Sequence, residues 1–211
     1  MRLPVSVAVL GSLALLGCTH LATLDRAGYA VEFHGGRLNG SPVEVETVEE
    51  GGYRFQIERS VFLYEITPPF QSFQSIASIS LADPTASWSL DAADLSTAFA
   101  KILAQMTKTL PNASCEPPRP DTSLDRSGIE SLCKASAEGM TYSMRLRMVP
   151  ARRGVLLQFA SWTGEKGQAW TAAFWSSLHA TGPGATVAGA AIHAAIPTDA
   201  LSRQVDMLAT R

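Results

Sequence analysis

Four histidines, three cysteines and a group of arginines around Arg147 offer this 211-residue chain its most versatile side-chain chemistry. The histidines are His20, His34, His179 and His193. No two of them share the spacing that places two ligands on one helix, and H-E-x-x-H is missing, so a zinc-protease site is not expected. His179 reads as a residue favoured by the dipole at the end of a helix, and His34, beside Gly35 and Gly36, as a loop residue. The serines include no G-x-S-x-G, and the glycines of "GPGATVAG" are wrongly spaced for dinucleotide binding. No catalytic residue, metal ligand or cofactor contact is therefore assigned.

Charge and aromatic chemistry remain. Arg145 and Arg147 alternate with Met144, Leu146 and Met148, and Arg152 and Arg153 follow in a turn. The four arginines can form a positive patch for an acidic partner or a phosphate. The favoured reading is a solvated sheet face and turn, with Glu130 or Glu138 as neutralising neighbours. Trp175 falls off the apolar stripe expected for its helix. An exposed indole marks an interface, unless the C-terminal tail covers it. The candidate interaction patch is thus Arg145, Arg147, Arg152, Arg153 and Trp175.

The third cysteine of interest comes first in the chain. Arg2 precedes an apolar run from Leu3 to Leu16, then Gly17 and Cys18. A short positive region, an apolar region and a small residue at the cleavage point have the layout of an export signal. The run is shorter than the roughly 20 residues a membrane-spanning helix needs. Leu15-Leu16-Gly17-Cys18 also resembles the lipobox of bacterial lipoproteins. That resemblance implies a diacylglycerol (and so palmitate-type acyl chains) on the Cys18 thiol and a further chain on the freed amine. Two or more chains hold a protein on a membrane stably where one does not. Thr19, standing where an aspartate would retain an enterobacterial lipoprotein in the inner membrane, implies the outer membrane, with the domain facing the periplasm.

With Cys18 given to a lipid by that resemblance, Cys115 and Cys133 form an even pair in an oxidising compartment. A disulfide is expected there, two free thiols being the alternative. The intervening "EPPRPDTSLDRSGIESL" offers neither His nor Cys to a metal. A bridge of this span stabilises a fold by about 3 kcal/mol in the chain-entropy description.

Those residues must be positioned by a folded domain, and 46% hydrophobic against 17% charged residues is a globular composition. A net charge of −2 shows no basic excess, so nucleic acid is not an expected partner. The divisions expected are residues 1–17 as signal peptide, 18–42 as a lipidated N-terminus and loose linker, 43–180 as one α+β domain, and 181–211 as an Ala- and Gly-rich tail. In that tail Thr198 can cap a short helix bearing Leu201, Val205 and Leu208.

Within the domain, Val43, Val45 and Thr47 alternate with glutamates, and beyond "EEGG" Tyr53, Phe55 and Ile57 alternate with polar residues. Both patterns predict a hairpin with one buried face. Further strands are predicted at 61–66, 76–81, 129–135, 140–149 and 155–162. Met140, Tyr142, Met144, Leu146 and Met148 share one face, as core or as the lining of an apolar ligand pocket. Leu95, Ala98, Phe99, Ile102, Leu103 and Met106 make the stripe of a first helix, with Asp91 able to cap it and Asp94 in its first turn. A second helix is predicted from Gln168 to Ala180, with Trp170, Phe174 and Leu178 at spacing four.

From about Tyr53 to His179 this order resembles the PsbP and DcrB superfamily of small α/β proteins. "LSTAFAKILAQM", "SGIESLCKASAEGMTYSMRLRMV" and "RRGVLLQFASWTGEKGQAWTAAFWSSL" carry the resemblance. It implies a fold, a mainly antiparallel sheet with two amphipathic helices packed on it, and no particular activity. The function expected is that of a non-enzymatic envelope lipoprotein that presents the domain to another envelope protein. The alternative is a periplasmic carrier or sensor of a small apolar ligand. Oligomeric state is not legible.

Overall fold

The computed structural model describes residues 18–24, 27–35, 43–50, 52–65, 71–83, 92–110, 112–121, 123, 128–137, 139–151 and 153–181. In chain order come strands β1 (Cys18–Leu24), β2 (Tyr29–Gly35), β3 (Glu44–Glu50), β4 (Tyr53–Glu65) and β5 (Gln71–Leu81). Helix α1 (Ala92–Thr109) leads to β6 (Ser114–Cys115), β7 (Arg119–Asp121), β8 (Gly128–Ala137), β9 (Met140–Ala151) and β10 (Gly154–Trp162). Helix α2 (Gly164–Ser176) and the short β11 (His179–Ala180) complete the fold. This is the α+β class expected, with antiparallel sheets and two helices.

Eight strands form the main sheet in the order β3-β4-β5-β10-β9-β8-β6, with β7 also on β8, and a small sheet runs β1-β2-β11. All of these pairings are antiparallel. Two tight connections place glycine at positive φ, Gly52 (80°) before β4 and Gly139 (77°) before β9, where a side chain would be strained.

Each face of the main sheet has its own core. On one side α1 lays down the stripe foreseen for it, with Leu95, Phe99, Ile102 and Met106 against Phe55, Ile57, Met144, Leu146, Met148, Leu157 and Phe159. On the other side α2 and the small sheet pack Leu24, Val31, Phe33, Phe174 and Leu178 against Phe62, Ile76, Val149, Leu156 and Ala160. The central strands are therefore covered twice. That is why β10 is buried from Gly154 to Ser161 without alternation.

Four sequence expectations change. Thr19 to Pro42, read as a loose linker, holds the hairpin of β1 and β2, because Tyr29, Val31 and Phe33 recur with period two and bury against the sheet. The glycine-rich residues 36–42 that prompted the linker reading lie outside the described residues. In β3 the inward face is the opposite one: Val48 lies across from Phe55 and packs on the core, while Val45 lies across from Glu58 and is 60% exposed. An edge strand whose valines are three apart cannot satisfy both faces, and the pairing register decides. Helix α2 runs Gly164–Ser176 rather than 168–180, with Thr163 as its N-cap and Ser177 as its C-cap. His179 accordingly belongs to β11, paired with Ala30, and not to a helix end.

Cys115 and Cys133 are bonded directly across β6 and β8, with Cα atoms 4.0 Å apart. The bridge ties the two-residue β6 to the edge of the main sheet. Asp91, the signal segment and the tail beyond Thr181 lie outside the described residues; Thr181 itself donates its N–H to the Gly28 carbonyl.

Candidate functional site

Alternation along β9 sends Met144, Leu146 and Met148 to the α1 side and Arg145 and Arg147 to the other. The second face was expected to be solvated. It is roofed by α2, and Arg147 is 1% exposed, the bulkiest of the fully buried side chains. Register brings its partners alongside, with Glu130 on β8 and Gln158 on β10 directly opposite.

A buried guanidinium needs an acceptor for each of its N–H groups. Arg147 Nε donates to Gln158 Oε1 at 3.0 Å, and Nη1 donates to Asp121 Oδ2 at 3.0 Å and to Ser123 Oγ at 2.9 Å. Nη2 donates to the Trp175 carbonyl at 2.7 Å and again to Gln158 Oε1. All five N–H bonds are thereby used. Gln158 Nε2 in turn donates to the Phe174 carbonyl at 3.1 Å. Those two carbonyls belong to the last turn of α2, which carries no basic residue of its own. The sheet thus supplies the positive cap that the helix lacks.

Burial by itself would push the Asp121 carboxyl up. Hydrogen bonds from the Ser123 side chain and backbone, and then the Arg147 guanidinium, hold it below the usual carboxylate range. Burial pulls the Arg147 guanidinium down from its ordinary value, with Asp121 opposing through its hydrogen bond and charge.

Trp175 joins this network by its ring. The guanidinium carbons of Arg145 and Arg147 lie 4.2 and 4.4 Å from the indole centroid, inside cation–π range. The indole is 6% exposed, so it is no surface aromatic, and its Nε1 has no acceptor among the described residues. The buried stripe of α2 is Gly167, Thr171, Phe174 and Trp175, at i, i+4, i+7 and i+8. Its first two members are small or polar, and for that reason counting large apolar residues put Trp175 off the face.

Outward from Trp175 the network becomes a half-open ledge. Glu130 accepts from Arg145 Nη2 at 2.7 Å and Nε at 3.2 Å, and from Arg119 Nε at 2.9 Å. Arg145 is 29% exposed and Arg119 53%. Lys134, next but one along β8 from Leu132, is exposed on the same side. Three arginines (Arg119, Arg145, Arg147) pair with two buried carboxylates (Asp121, Glu130), with Lys134 farther along β8 and exposed Glu116 hydrogen-bonded by its backbone to Leu132 at the sheet edge. Such a surface is chemically suited to hold a carboxylate or a phosphate.

Of the residues singled out from the sequence, Arg145, Arg147 and Trp175 are brought together. Arg153 is not; it donates to the Asp83 carbonyl at 2.7 Å. Arg152 and Glu138 lie outside the described residues. Asp121, Ser123, Gln158 and Arg119 carry no local sequence signal, since strand pairing and the Asp121–Ser123 turn bring them to Arg147 and Glu130. His20 stacks on Phe62, His34 lies 3.7 Å from Glu32, and His179 Nδ1 lies 2.8 Å from the Ser177 carbonyl. Among the described residues no three His, Cys, Asp or Glu side chains are grouped to hold a metal.

No family model and no curated protein sequence matches the chain. Solved structures similar in outline include the following two. One is LpqN, involved in cell envelope biogenesis of Mycobacterium tuberculosis, with a TM-score of 0.38 and 13% identity over 81% of this chain and 88% of that one. The other is PA94 from Pseudomonas aeruginosa, a protein of unknown function, with a TM-score of 0.34 and 14% identity over 74% of this chain and 94% of that one. At such scores neither likeness bears on what this chain does.

Proposed function

We propose that this chain is an envelope lipoprotein, held by a lipid on Cys18 at the outer membrane, that works through protein contacts and not by catalysis. Its domain would face the periplasm and present the Arg119, Lys134 and Arg145 ledge to an acidic partner. The observation that carries this reading is the division of labour among the arginines. Arg147 has every donor engaged inside the fold and holds Trp175 in place, while Glu130 holds Arg145. Arg119 and Lys134 stand outside as the charged rim. A preorganised rim loses little freedom on binding and steers an oppositely charged partner. The engaged arginines also favour a binding role over acid–base chemistry. The PsbP and DcrB resemblance belongs to the same proposal and is supported by the run of β5, α1, bonded β6, then the β8-β9-β10 meander and α2.

A photo-crosslinker placed at Lys134 in intact cells tests the ledge. The expected result is a discrete adduct with an acidic envelope protein that weakens as salt rises and is lost with Arg119→Glu. An adduct pattern indifferent to that reversal, or none at all, refutes it. The carrier alternative gains no support from the methionine face, because Met144 and Met148 pack among Phe99, Ile102 and Met106 of α1.

A further inference from the structure

We infer that the lipid anchor is fused to the fold, so that the domain stands on the bilayer by the Cys18 end of its sheets instead of swinging on a tether. This rests on the reading of Cys18 as the lipidated residue. Cys18 is already the first residue of a paired strand, opposite Gly35, followed without a break by Thr19 opposite His34 and His20 opposite Phe33. A tether gains about 3.3–3.6 Å of reach per extended residue, and between Cys18 and the sheet there is none to extend.

The end of the hairpin beside Cys18 is also locked to the main sheet. The His34 N–H donates to Gln74 Oε1 at 3.1 Å, and Gln74 Nε2 donates back to the His34 carbonyl at 2.7 Å. Gln74 is itself fully buried. The His20 ring lies 5.2 Å from Phe62, which lies 3.8 Å from Phe33. An acyl chain on Cys18 would therefore pull on the whole domain.

Register then says which end faces the lipid. Gln74 sits near the start of β5, where Ser72 pairs with Trp162 and Trp162 with Ser143. Those residues form the near rim, with Thr141 next along β9. The far rim holds Tyr53, Leu81 and Gly154, and from Ser72 to Leu81 a strand covers roughly 30 Å. Exposed Glu49, opposite Arg54, belongs to that far end. Strands β1, β2 and β11 contain no Lys or Arg, so these three strands offer no cation to an anionic headgroup. Leu21, 57% exposed on β1, faces outward where an acyl surface can take it.

The mature lipoprotein, purified from membranes, can carry a donor dye on a single added cysteine, Thr141→Cys or Glu49→Cys, since Cys115 and Cys133 are bonded. It is placed in phosphatidylethanolamine and phosphatidylglycerol vesicles with acceptor-labelled headgroups. Energy transfer should be several-fold greater from position 141 than from 49. A Gly/Ser spacer of about ten residues after Cys18 should abolish the difference. Equal transfer from both positions without the spacer overturns the inference. The mass of the N-terminal peptide separates the two ways of failing. A lipid-free Cys18 brings down the anchor reading and this inference together, whereas a lipidated Cys18 with equal transfer brings down this inference alone.

Discussion

Arg147 donates from Nη2 to the carbonyl of Trp175, 2.7 Å away, so that a strand of the sheet caps the helix lying across it. The same guanidinium holds Asp121, the last residue of β7, and Ser123 just beyond it. One side chain thereby fixes the position of α2 on the sheet and of the edge segment that carries Arg119. The contact joins the fold to the proposed surface.

Replacing that side chain should cost more than a surface arginine would. Arg147→Leu leaves the Asp121 carboxylate and the Trp175 carbonyl buried without their donor, and breaking one side of a buried pair costs about 3–5 kcal/mol. Arg147→Lys should recover little, because three donors on a point charge cannot replace a planar fork of five. Urea unfolding of the mature soluble domain measures both; a loss below about 1 kcal/mol for the leucine variant would show that the network is dispensable.

Asp121 gives the network an acid limit. Its carboxyl lies in the fold below the ordinary aspartate value of 3.8. A depressed carboxylate adds stability above its unfolded pKa and loses it as pH falls through the folded one. Stability from this group is therefore full at neutral pH, begins to fall near pH 3.8 and is gone only once the pH is below the folded value. The gap between the native domain and Asp121→Asn should be large at pH 7 and shrink as the pH is taken toward 3. A gap that does not change with pH would mean that Asp121 is not ionised against Arg147.

Much of this was legible in the sequence, and the failures have a common cause. The α1 stripe from Leu95 to Met106 and the alternation of Met144, Leu146 and Met148 survive intact, because each is a local periodicity answering to a single face. Arg147 was misjudged because what covers its face is α2, contributed from later in the chain, and nothing in "MRLRM" announces a roof. Trp175 was misjudged for the complementary reason, its stripe being completed by Gly167 and Thr171. Cys18 is the reverse case. Its chemistry stands out in "LALLGCTH", while its place as the first paired residue of β1 emerges only once Phe33 and Val31 are seen in a core.

The disulfide should matter for the same edge. Cys115→Ser with Cys133→Ser releases β6 from β8, across a sequence separation of 18. The expected loss is about 3 kcal/mol, read as a lower unfolding midpoint with the core intact by near-ultraviolet circular dichroism. Mass spectrometry of a non-reduced digest should find the two peptides linked in the exported protein, and alkylation of both thiols in the native chain would contradict the bridge.

The central claim is that Cys18 is both the anchor and the first residue of the fold. The most direct measurement is the intact mass of the N-terminal peptide of the protein taken from cell membranes. The expected result is a chain beginning at Cys18 and carrying diacylglycerol, with Cys18→Ser releasing the protein from the membrane fraction. A native chain that keeps residues 1–17, or one that begins at Cys18 with an unmodified thiol, would contradict it.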